Sequence, residues 1–306
     1  MKVGVIGVGN MGKNHPRVYA ELGAELVGIA DTDLEKAKRI AAQYGTTAFS
    51  NHEKLLDQGL DAVSIVVPTA GHKEVALAAI QKGVNLLIEK PIADSIPSAQ
   101  EIITAAQARR VKLMVGHVER FNPAVTKLKE IMDDGVLGRL VYISAKRVGP
   151  FVPRVTDIGI IVDVATHDID VIRYFIGKEC TSVFARSTRW KNVRGDAAII
   201  LMGFEEVSAS VEVNWYTPHR VRTLAVTGTE GVAYLDYSKQ EIEIFKAGWK
   251  MIPAVERAEP LKLELGHFLT CIREDKEPLV SGYDATQVLG IAIRAGQVSG
   301  VEEKIP

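Results

Sequence analysis

Apolar runs alternate with helical patterns through the first 116 residues of the chain. The apolar runs cover residues 2–6, 24–30, 62–67, 85–89 and 112–116. Helical patterns separate them at residues 12–22, 33–44, 50–58, 72–82 and 95–109. Strands that are apolar along their whole length are typical of a parallel sheet buried on both faces. Their alternation with helices predicts a doubly wound α/β domain.

The pattern changes after Phe121. Helices are predicted at residues 123–134 and 162–176, the second ended by Gly177, with a strand at 140–146. Residues 181–245 read as strand after strand, with clear alternation at 207–213 and turn residues at 228–231. Two more helical patterns, 261–274 and 283–299, end the chain. We therefore expect a second domain built on an antiparallel or mixed sheet, with the boundary near residue 120.

Composition narrows the class of protein. Of the 306 residues, 47% are apolar and 25% are charged, and the formal net charge is -1. These are values of an ordinary globular chain of two domains, with no electrostatic reason to bind nucleic acid or an anionic membrane. No apolar run is long enough to span a bilayer, and no signal peptide fits the first residues. Two isolated cysteines, Cys180 and Cys271, agree with a reducing cytoplasm.

The first apolar run ends in a glycine motif, G-x-G-x-x-G, formed by Gly7, Gly9 and Gly12. Gly7 permits a tight turn, Gly9 lets the backbone approach a pyrophosphate, and Gly12 allows close packing of the next helix, whose N-terminus favours phosphate. Asp31 ends the second run, where a carboxylate can accept hydrogen bonds from ribose hydroxyls. The combination predicts a dinucleotide site; a related unit that binds another nucleotide, or nothing, is the alternative.

Asp31 also bears on the choice of dinucleotide. A carboxylate there repels a 2′-phosphate and binds a free 2′-hydroxyl. Lys36 and Arg39 lie a turn or more into the next helix and are expected to be poorly placed to attract that phosphate. We therefore predict NAD rather than NADP.

Glu89-Lys90-Pro91 follows the fourth apolar run, at the sheet edge where ligands of such domains bind. A partly desolvated lysine beside a cofactor ring can hydrogen-bond a substrate hydroxyl. The alternative is an exposed lysine in a turn. A cis Lys90–Pro91 bond would turn the chain sharply at this point.

Asp163 and His167 are four residues apart in a predicted helix that is otherwise mostly apolar. An aspartate beside a histidine can orient its ring and give a proton acceptor near neutral pH; an ordinary surface pair is the alternative. His117 and Arg120 follow the last run of the first domain and could line a substrate cleft, although Arg120 could instead tie the two domains together through a salt bridge. No group of residues has the spacing of a metal site.

Together these motifs resemble the Gfo/Idh/MocA oxidoreductase family over the whole chain. The resemblance implies an N-terminal Rossmann domain that binds NAD (residues 1–120) and a C-terminal α/β domain with a largely antiparallel sheet (121–306), whose open face builds homodimers or homotetramers. It implies oxidation of a sugar or polyol hydroxyl, with Lys90 and His167 at the reacting hydroxyl and Asp163 beside them. The expected cofactor contacts are Gly7, Gly9, Asn10, Met11, Gly12, Asp31, Pro68, Thr69, His72, Glu89 and Lys90.

The chain is most similar to the branch of this family that oxidises nucleotide sugars, such as UDP-N-acetylglucosamine at C3. It departs from many relatives before Asp163, where residues 157–162 lack a glycine-rich run, and at Ala165-Thr166, where relatives carry a glycine. Residues 146–154 are predicted to form a basic loop whose Arg147 and Arg154 bind the diphosphate of the substrate. A solvated loop or a subunit contact is the alternative.

Two other functions stay open on the sequence. One is the same chemistry on a free sugar, inositol or another polyol. The other is an NAD-binding sensor without turnover, against which the joint presence of Lys90, Asp163 and His167 argues.

Overall fold

The structure is a computed structural model that describes residues 1–151, 159–190 and 195–300. The chain divides into two compact units, Met1–His117 with Leu261–Thr286, and Val118–Pro260 with Gln287–Pro306. The sequence interpretation had placed residues 121–306 in one domain, whereas Leu261–Thr286 groups with the first unit. The reason is visible in its contacts, since the backbone N–H of Val115 donates to the carbonyl of Val280 at 3.2 Å.

The first unit contains a six-stranded sheet in which every pairing is parallel. Its strand order is β3-β2-β1-β4-β5-β6. The strands are β1 (Lys2–Ile6), β2 (Glu25–Ala30), β3 (Thr47–Phe49), β4 (Ala62–Ile65), β5 (Asn85–Glu89) and β6 (Leu113–Gly116). The predicted parallel sheet is confirmed. The sequence did not reveal β3, because three residues are too few for a recognisable period.

Helices connect these strands at the predicted places. They are α1 (Asn14–Glu21), α2 (Leu34–Gln43), α3 (His52–Leu56), α4 (His72–Gln81) and α5 (Ile96–Arg109). The side chain of Asp33 caps α2 by accepting from the amide of Lys36, and Ser95 caps α5 through the amide of Ser98. Each cap satisfies one backbone donor that a helix N-terminus leaves unpaired.

The second unit is built on an eight-stranded sheet of order β14-β13-β12-β11-β7-β10-β9-β8. All its pairings are antiparallel except β7 with β10. This agrees with the largely antiparallel sheet expected. The strands are β7 (Leu140–Pro150), β8 (Ser182–Thr188), β9 (Ala197–Phe204), β10 (Val207–Asn214), β11 (Tyr216–Gly228), β12 (Gly231–Asp236), β13 (Glu241–Lys246) and β14 (Trp249–Met251).

Strand β7 is longer than the sequence predicted. Residues 146–150, expected to begin a basic loop, continue the strand because they pair with β11, Val148 opposite Val221 and Pro150 opposite Tyr216. The loop prediction is therefore wrong for this part, and residues 152–158, with Arg154, lie outside the described chain.

Helices α6 (Pro123–Asp133) and α7 (Thr166–Ile176) share a hydrophobic core with one face of this sheet, here called the inner face. Ile143, Ala145 and Leu224 belong to that face; the opposite face is called the outer face. Gly177 ends α7 with φ of +68°, as predicted. The last two helices of the chain are α8 (Pro260–Arg273) and α9 (Gly282–Val298).

The start of the predicted helix 162–176 differs from expectation. Residues Ile161–Ala165 form a π-helical turn that leads directly into α7. A π turn is wider than an α turn and is often found at functional sites.

None of the helices within the described residues is long and apolar enough to cross a membrane.

Candidate active site

The glycine motif forms a tight turn after β1. Gly7 has φ of +89°, and a Cβ there would lie 2.4 Å from the carbonyl oxygen of Val66. A Cβ on Gly12 would lie 2.1 Å from the carbonyl oxygen of Gly7, whereas a Cβ on Gly9 would meet no atom within 4 Å. Packing thus requires glycine at Gly7 and Gly12, whereas the space beside Gly9 is open. This arrangement fits a dinucleotide whose pyrophosphate approaches the backbone at Gly9.

Asp31 is tied to this turn. Its Oδ2 accepts a hydrogen bond from the amide of Val8 at 2.8 Å, and its Oδ1 accepts one from the amide of Asp33 at 2.9 Å. Each carboxylate oxygen has a second lone pair available for a ribose hydroxyl. One expectation is wrong, because the ammonium of Lys36 lies 3.8 Å from Asp31 Oδ2 and is not remote.

His72, expected to contact the cofactor, is buried, with 1% of its surface exposed. Its Nδ1 lies 2.9 Å from the carbonyl oxygen of Pro91 and its Nε2 lies 3.0 Å from that of Val67. Burial lowers the pKa of His72, while hydrogen bonds to the two carbonyl oxygens oppose that shift. A neutral ring can donate to only one of these oxygens, whereas the protonated ring can donate to both. His72 therefore lies between the turns that follow β4 and β5, and its contact with the cofactor stays a prediction.

The Glu89-Lys90-Pro91 segment leaves the end of β5 through a cis Lys90–Pro91 bond, as expected. Glu89 is almost fully buried, and its Oε1 lies 3.4 Å from Nε2 of the buried His15. A Cβ on Gly116 would lie 3.0 Å from this carboxylate. Gly116 thus provides the space for Glu89, while Lys90 is partly exposed at the strand end.

The predicted residues of the first unit meet at one edge of its sheet. Gly7 follows β1, Asp31 follows β2, Lys90 follows β5 and His117 follows β6. Carboxyl ends of parallel strands lie on the same edge, where ligands of doubly wound sheets bind. Asn10, Met11, Pro68 and Thr69 are partly or fully exposed in turns on this edge, whereas His117 is buried, with 2% exposed.

In the second unit, Asp163 lies in the π turn and His167 is the second residue of α7; both are partly buried. The sequence interpretation assumed α-helical spacing between them. The wider π turn changes that spacing, so their relative direction is not the one that four residues of α-helix would give.

Arg147, expected to bind substrate phosphate, is buried on the inner face and already bound to two carboxylates. Its Nε and Nη2 donate to Asp168 at 2.6 and 3.2 Å, and its Nη1 donates to Glu119 at 2.9 Å. The guanidinium also lies 4.8 Å from the centre of the Tyr237 ring. Burial opposes the charge, yet the two carboxylates raise the pKa of Arg147 above its ordinary value. These bonds leave Arg147 poorly available to a substrate phosphate.

Arg120 makes the second buried pair. Its Nε and Nη2 donate to the two carboxylate oxygens of Asp170 at 2.8 and 2.7 Å, and the side chains are 4% and 1% exposed. Both residues belong to the second unit. Arg120 is therefore a positioning residue of α7, and its salt bridge is not the tie between domains that was considered.

The sequence interpretation missed Asp168 and Asp170 as important residues. They occur among Thr166, Ile169 and Val171, which are all buried. Two acids inside a buried stretch require partners, because unpaired buried charges are costly. Acidic residues within an apolar stretch were therefore the sequence signal that could have predicted these salt bridges. Within the described residues, no group of three or more potential ligands could hold a metal ion.

Comparison with known proteins agrees with this geometry. Residues 1–117 match a family model described as an oxidoreductase family with an NAD-binding Rossmann fold, and residues 125–234 match one described as a GFO/IDH/MocA C-terminal domain. The first unit therefore binds NAD.

Two relatives are similar along almost their whole length. The chain is 30% identical to a UDP-N-acetylglucosamine 3-dehydrogenase of Acidithiobacillus ferrooxidans, over 96% of both chains. It is also 30% identical to a scyllo-inositol 2-dehydrogenase (NAD(+)) of Bacillus subtilis, over 96% of this chain and 93% of that protein.

Solved structures show the same fold. The Acidithiobacillus enzyme superposes with a TM-score of 0.93, covering 98% of both chains. A levoglucosan dehydrogenase in complex with NADH and levoglucosan gives a TM-score of 0.88 at 23% identity, over 98% of this chain and 97% of that chain. At that identity the second likeness shows the fold alone.

The position of Asp31 predicts a preference for NAD that can be reversed. Asp31→Asn keeps an oxygen for the Val8 amide but removes the charge that repels a 2′-phosphate. We expect the ratio of kcat/KM for NAD to kcat/KM for NADP to fall by about 10- to 100-fold. This factor corresponds to the usual free energy of a hydrogen bond to a charged group. Steady-state kinetics with both cofactors measure it.

Lys36 supplies the control for this experiment. Because its ammonium lies beside Asp31, adding Lys36→Ala to the first substitution should remove most of the gain with NADP. Preference of the unmutated enzyme for NADP, or an unchanged ratio in Asp31→Asn, would contradict the prediction.

The buried pair of Arg147 with Asp168 predicts a stability effect much larger than that of an exposed ion pair in the same unit. Asp168→Ala leaves Arg147 buried with Glu119 alone and should lower the free energy of unfolding by about 3–5 kcal/mol. The matched control is the exposed pair of Lys127 with Glu130 on α6, at 3.0 Å. Glu130→Ala should cost less than about 1 kcal/mol. Urea unfolding measures both, and equal losses would be evidence against the prediction.

Proposed function

This chain belongs to the Gfo/Idh/MocA family of oxidoreductases, and on that premise we propose that it is an NAD-dependent dehydrogenase of a nucleotide sugar. The substrate class proposed is UDP-N-acetylglucosamine or a close analogue, oxidised to a ketone at C3. The observation that carries the proposal is the likeness to the Acidithiobacillus enzyme, which extends over 96% of both sequences. Lys90, Asp163 and His167, the residues expected to act on the substrate, are all present.

A free polyol is the second candidate. It is supported by the likeness to the Bacillus scyllo-inositol 2-dehydrogenase, which is also 30% identical. Sequence identity does not separate the two candidates, so the substrate has to be decided by an assay.

The proposed mechanism assigns one task to each residue. NAD, when bound, supplies the hydride acceptor. Lys90, at the end of β5, hydrogen-bonds the oxygen of the reacting hydroxyl, and His167 accepts its proton. Asp163 orients the imidazole of His167 and stabilises its protonated form. The Asp168–Arg147 and Asp170–Arg120 pairs fix the first turns of α7 and so position His167.

A substrate panel tests the proposal. NADH formation is followed by absorbance with UDP-N-acetylglucosamine, N-acetylglucosamine, scyllo-inositol and myo-inositol. We expect the highest kcat/KM with UDP-N-acetylglucosamine, because the proposed substrate carries the nucleotide. A higher kcat/KM with either inositol would replace the first candidate by the second, and no turnover with any class of hydroxyl substrate would favour a sensor.

The same assay tests the proton acceptor. On the best substrate, His167→Ala should lower kcat by about 10²–10⁴, the usual contribution of a positioned acid or base, while NAD affinity stays nearly the same. His52→Ala, in α3 of the first unit, is the matched histidine control and should leave kcat unchanged. Near-normal turnover without His167 would move the role to another residue.

We also propose that the outer face of the eight-stranded sheet forms a homo-oligomer, either a dimer or a tetramer. This face carries large apolar side chains that are between 37% and 63% exposed. They are Phe184, Ile199, Leu201, Tyr234 and Phe245. Exposed apolar patches of this kind are typical of protein interfaces.

Sedimentation analysis tests the oligomer. The unmutated protein should sediment as more than one chain, and Ile199→Glu with Leu201→Glu should reduce it to one chain by placing charge in the interface. Leu263→Glu, at an exposed apolar position of α8, is the control and should change nothing. A single-chain mass for the unmutated protein, or an unchanged mass for the double variant, would overturn the assignment.

A further inference from the structure

The inner face of the eight-stranded sheet changes from apolar to cationic toward one end. In the pairing of β7 with β11, Ala145 lies opposite Leu224, and the next inner pair is Arg147 opposite Arg222. Directly opposed side chains of an antiparallel pair are close neighbours, and like charges there destabilise the sheet. Two arginines in this position therefore need negative charge nearby.

Only one of these two arginines is paired with carboxylates. Arg147 donates to Asp168 and Glu119, whereas Arg222 makes no ion pair with any carboxylate in residues 1–151, 159–190 and 195–300. Arg222 is partly buried. Its pKa is lowered mainly by burial and, to a smaller extent, by the positive charge of Arg147. An arginine stays protonated all the same. Its charge is thus incompletely compensated.

Arg220 extends the cationic end of this face. It is exposed and lies two residues before Arg222 on β11. Gly149 leaves room beside it, because a Cβ on Gly149 would lie 3.3 Å from Cγ of Arg220. Three arginines, including Arg147, accompany two carboxylates, Asp168 and Glu119. This cluster therefore has one positive charge in excess.

The cluster adjoins the segment that carries the proposed proton acceptor, since Arg147 binds Asp168, the residue after His167. We propose that Arg222 and Arg220 form an anion subsite that binds the diphosphate of the substrate, which rests on the proposed function. Guanidinium groups suit bidentate contacts with phosphate oxygens. These residues take the role that the sequence had suggested for Arg147.

The competing explanation is purely structural. Arg222 could serve to balance the charges of Glu119 and Asp168, with no ligand involved. The two explanations differ in their effect on the free protein. Removing a compensating charge destabilises the fold, whereas removing an incompletely compensated charge that is partly buried leaves stability unchanged or raises it.

Glutamine substitutions separate these explanations. In Arg222→Gln with Arg220→Gln, KM for UDP-N-acetylglucosamine should rise about 10- to 100-fold, with kcat little changed and KM for NAD unaffected. The thermal midpoint of free Arg222→Gln should stay the same or rise. Arg139→Gln, an exposed arginine just before β7 in the same unit, is the control and should alter none of these values. An unchanged KM for UDP-N-acetylglucosamine, or a lowered thermal midpoint, would overturn the subsite.

A binding measurement keeps this test independent of the proposed function. Calorimetric titration with UDP, at saturating NADH to fill the dinucleotide site, requires no turnover. UDP binding that is lost in the double variant supports the subsite even if the enzyme oxidises only free polyols, in which case the proposed function alone fails. The opposite result is also informative. If UDP-N-acetylglucosamine is turned over but UDP binds equally well to the unmutated protein and to the double variant, the proposed function holds and the subsite is overturned.

Discussion

The buried pair of Arg147 with Asp168 is the interaction on which the second unit most depends. Removing two charges from water is costly, and the cost is offset only when hydrogen-bond geometry is good. Asp168 receives two hydrogen bonds from Arg147 and Asp170 receives two from Arg120. Two such pairs along three residues of α7 permit little rotation or sliding of that helix against the sheet. Since His167 directly precedes Asp168, the same pairs determine where its imidazole lies.

In the first unit, close backbone packing has the corresponding role. Gly7 and Gly12 are required because a side chain at either would overlap the backbone, and a side chain on Gly116 would crowd the carboxylate of Glu89. His72 links the turns after β4 and β5 through two carbonyl oxygens. The cofactor edge is therefore shaped by groups that need not touch the cofactor. This explains why several residues of the family motifs are buried.

Local signals were enough to predict most of the fold and part of the site. The apolar strands, the glycine turn and the stop at Gly177 each depend on residues close in sequence. Prediction failed where distant partners decide the outcome. Strand β7 continues past Lys146 because β11 pairs with it. Lys36 is a different case, since it is close to Asp31 in sequence and the turn between β2 and α2 brings its ammonium beside the carboxylate. The π turn before α7 left no sequence signal that we recognised.

The sequence by itself determined the parallel sheet and the NAD-binding domain, because each follows from short-range periodicity or a compact motif. Only the tertiary structure decided which charged residues are structural. Arg147 and Asp168 are 21 residues apart, and Arg120 and Asp170 are 50 apart. In sequence, each of these arginines could equally be a solvated side chain or a phosphate ligand. Burial against a specific carboxylate fixes the role, since the free energy of a charge depends on what replaces its water.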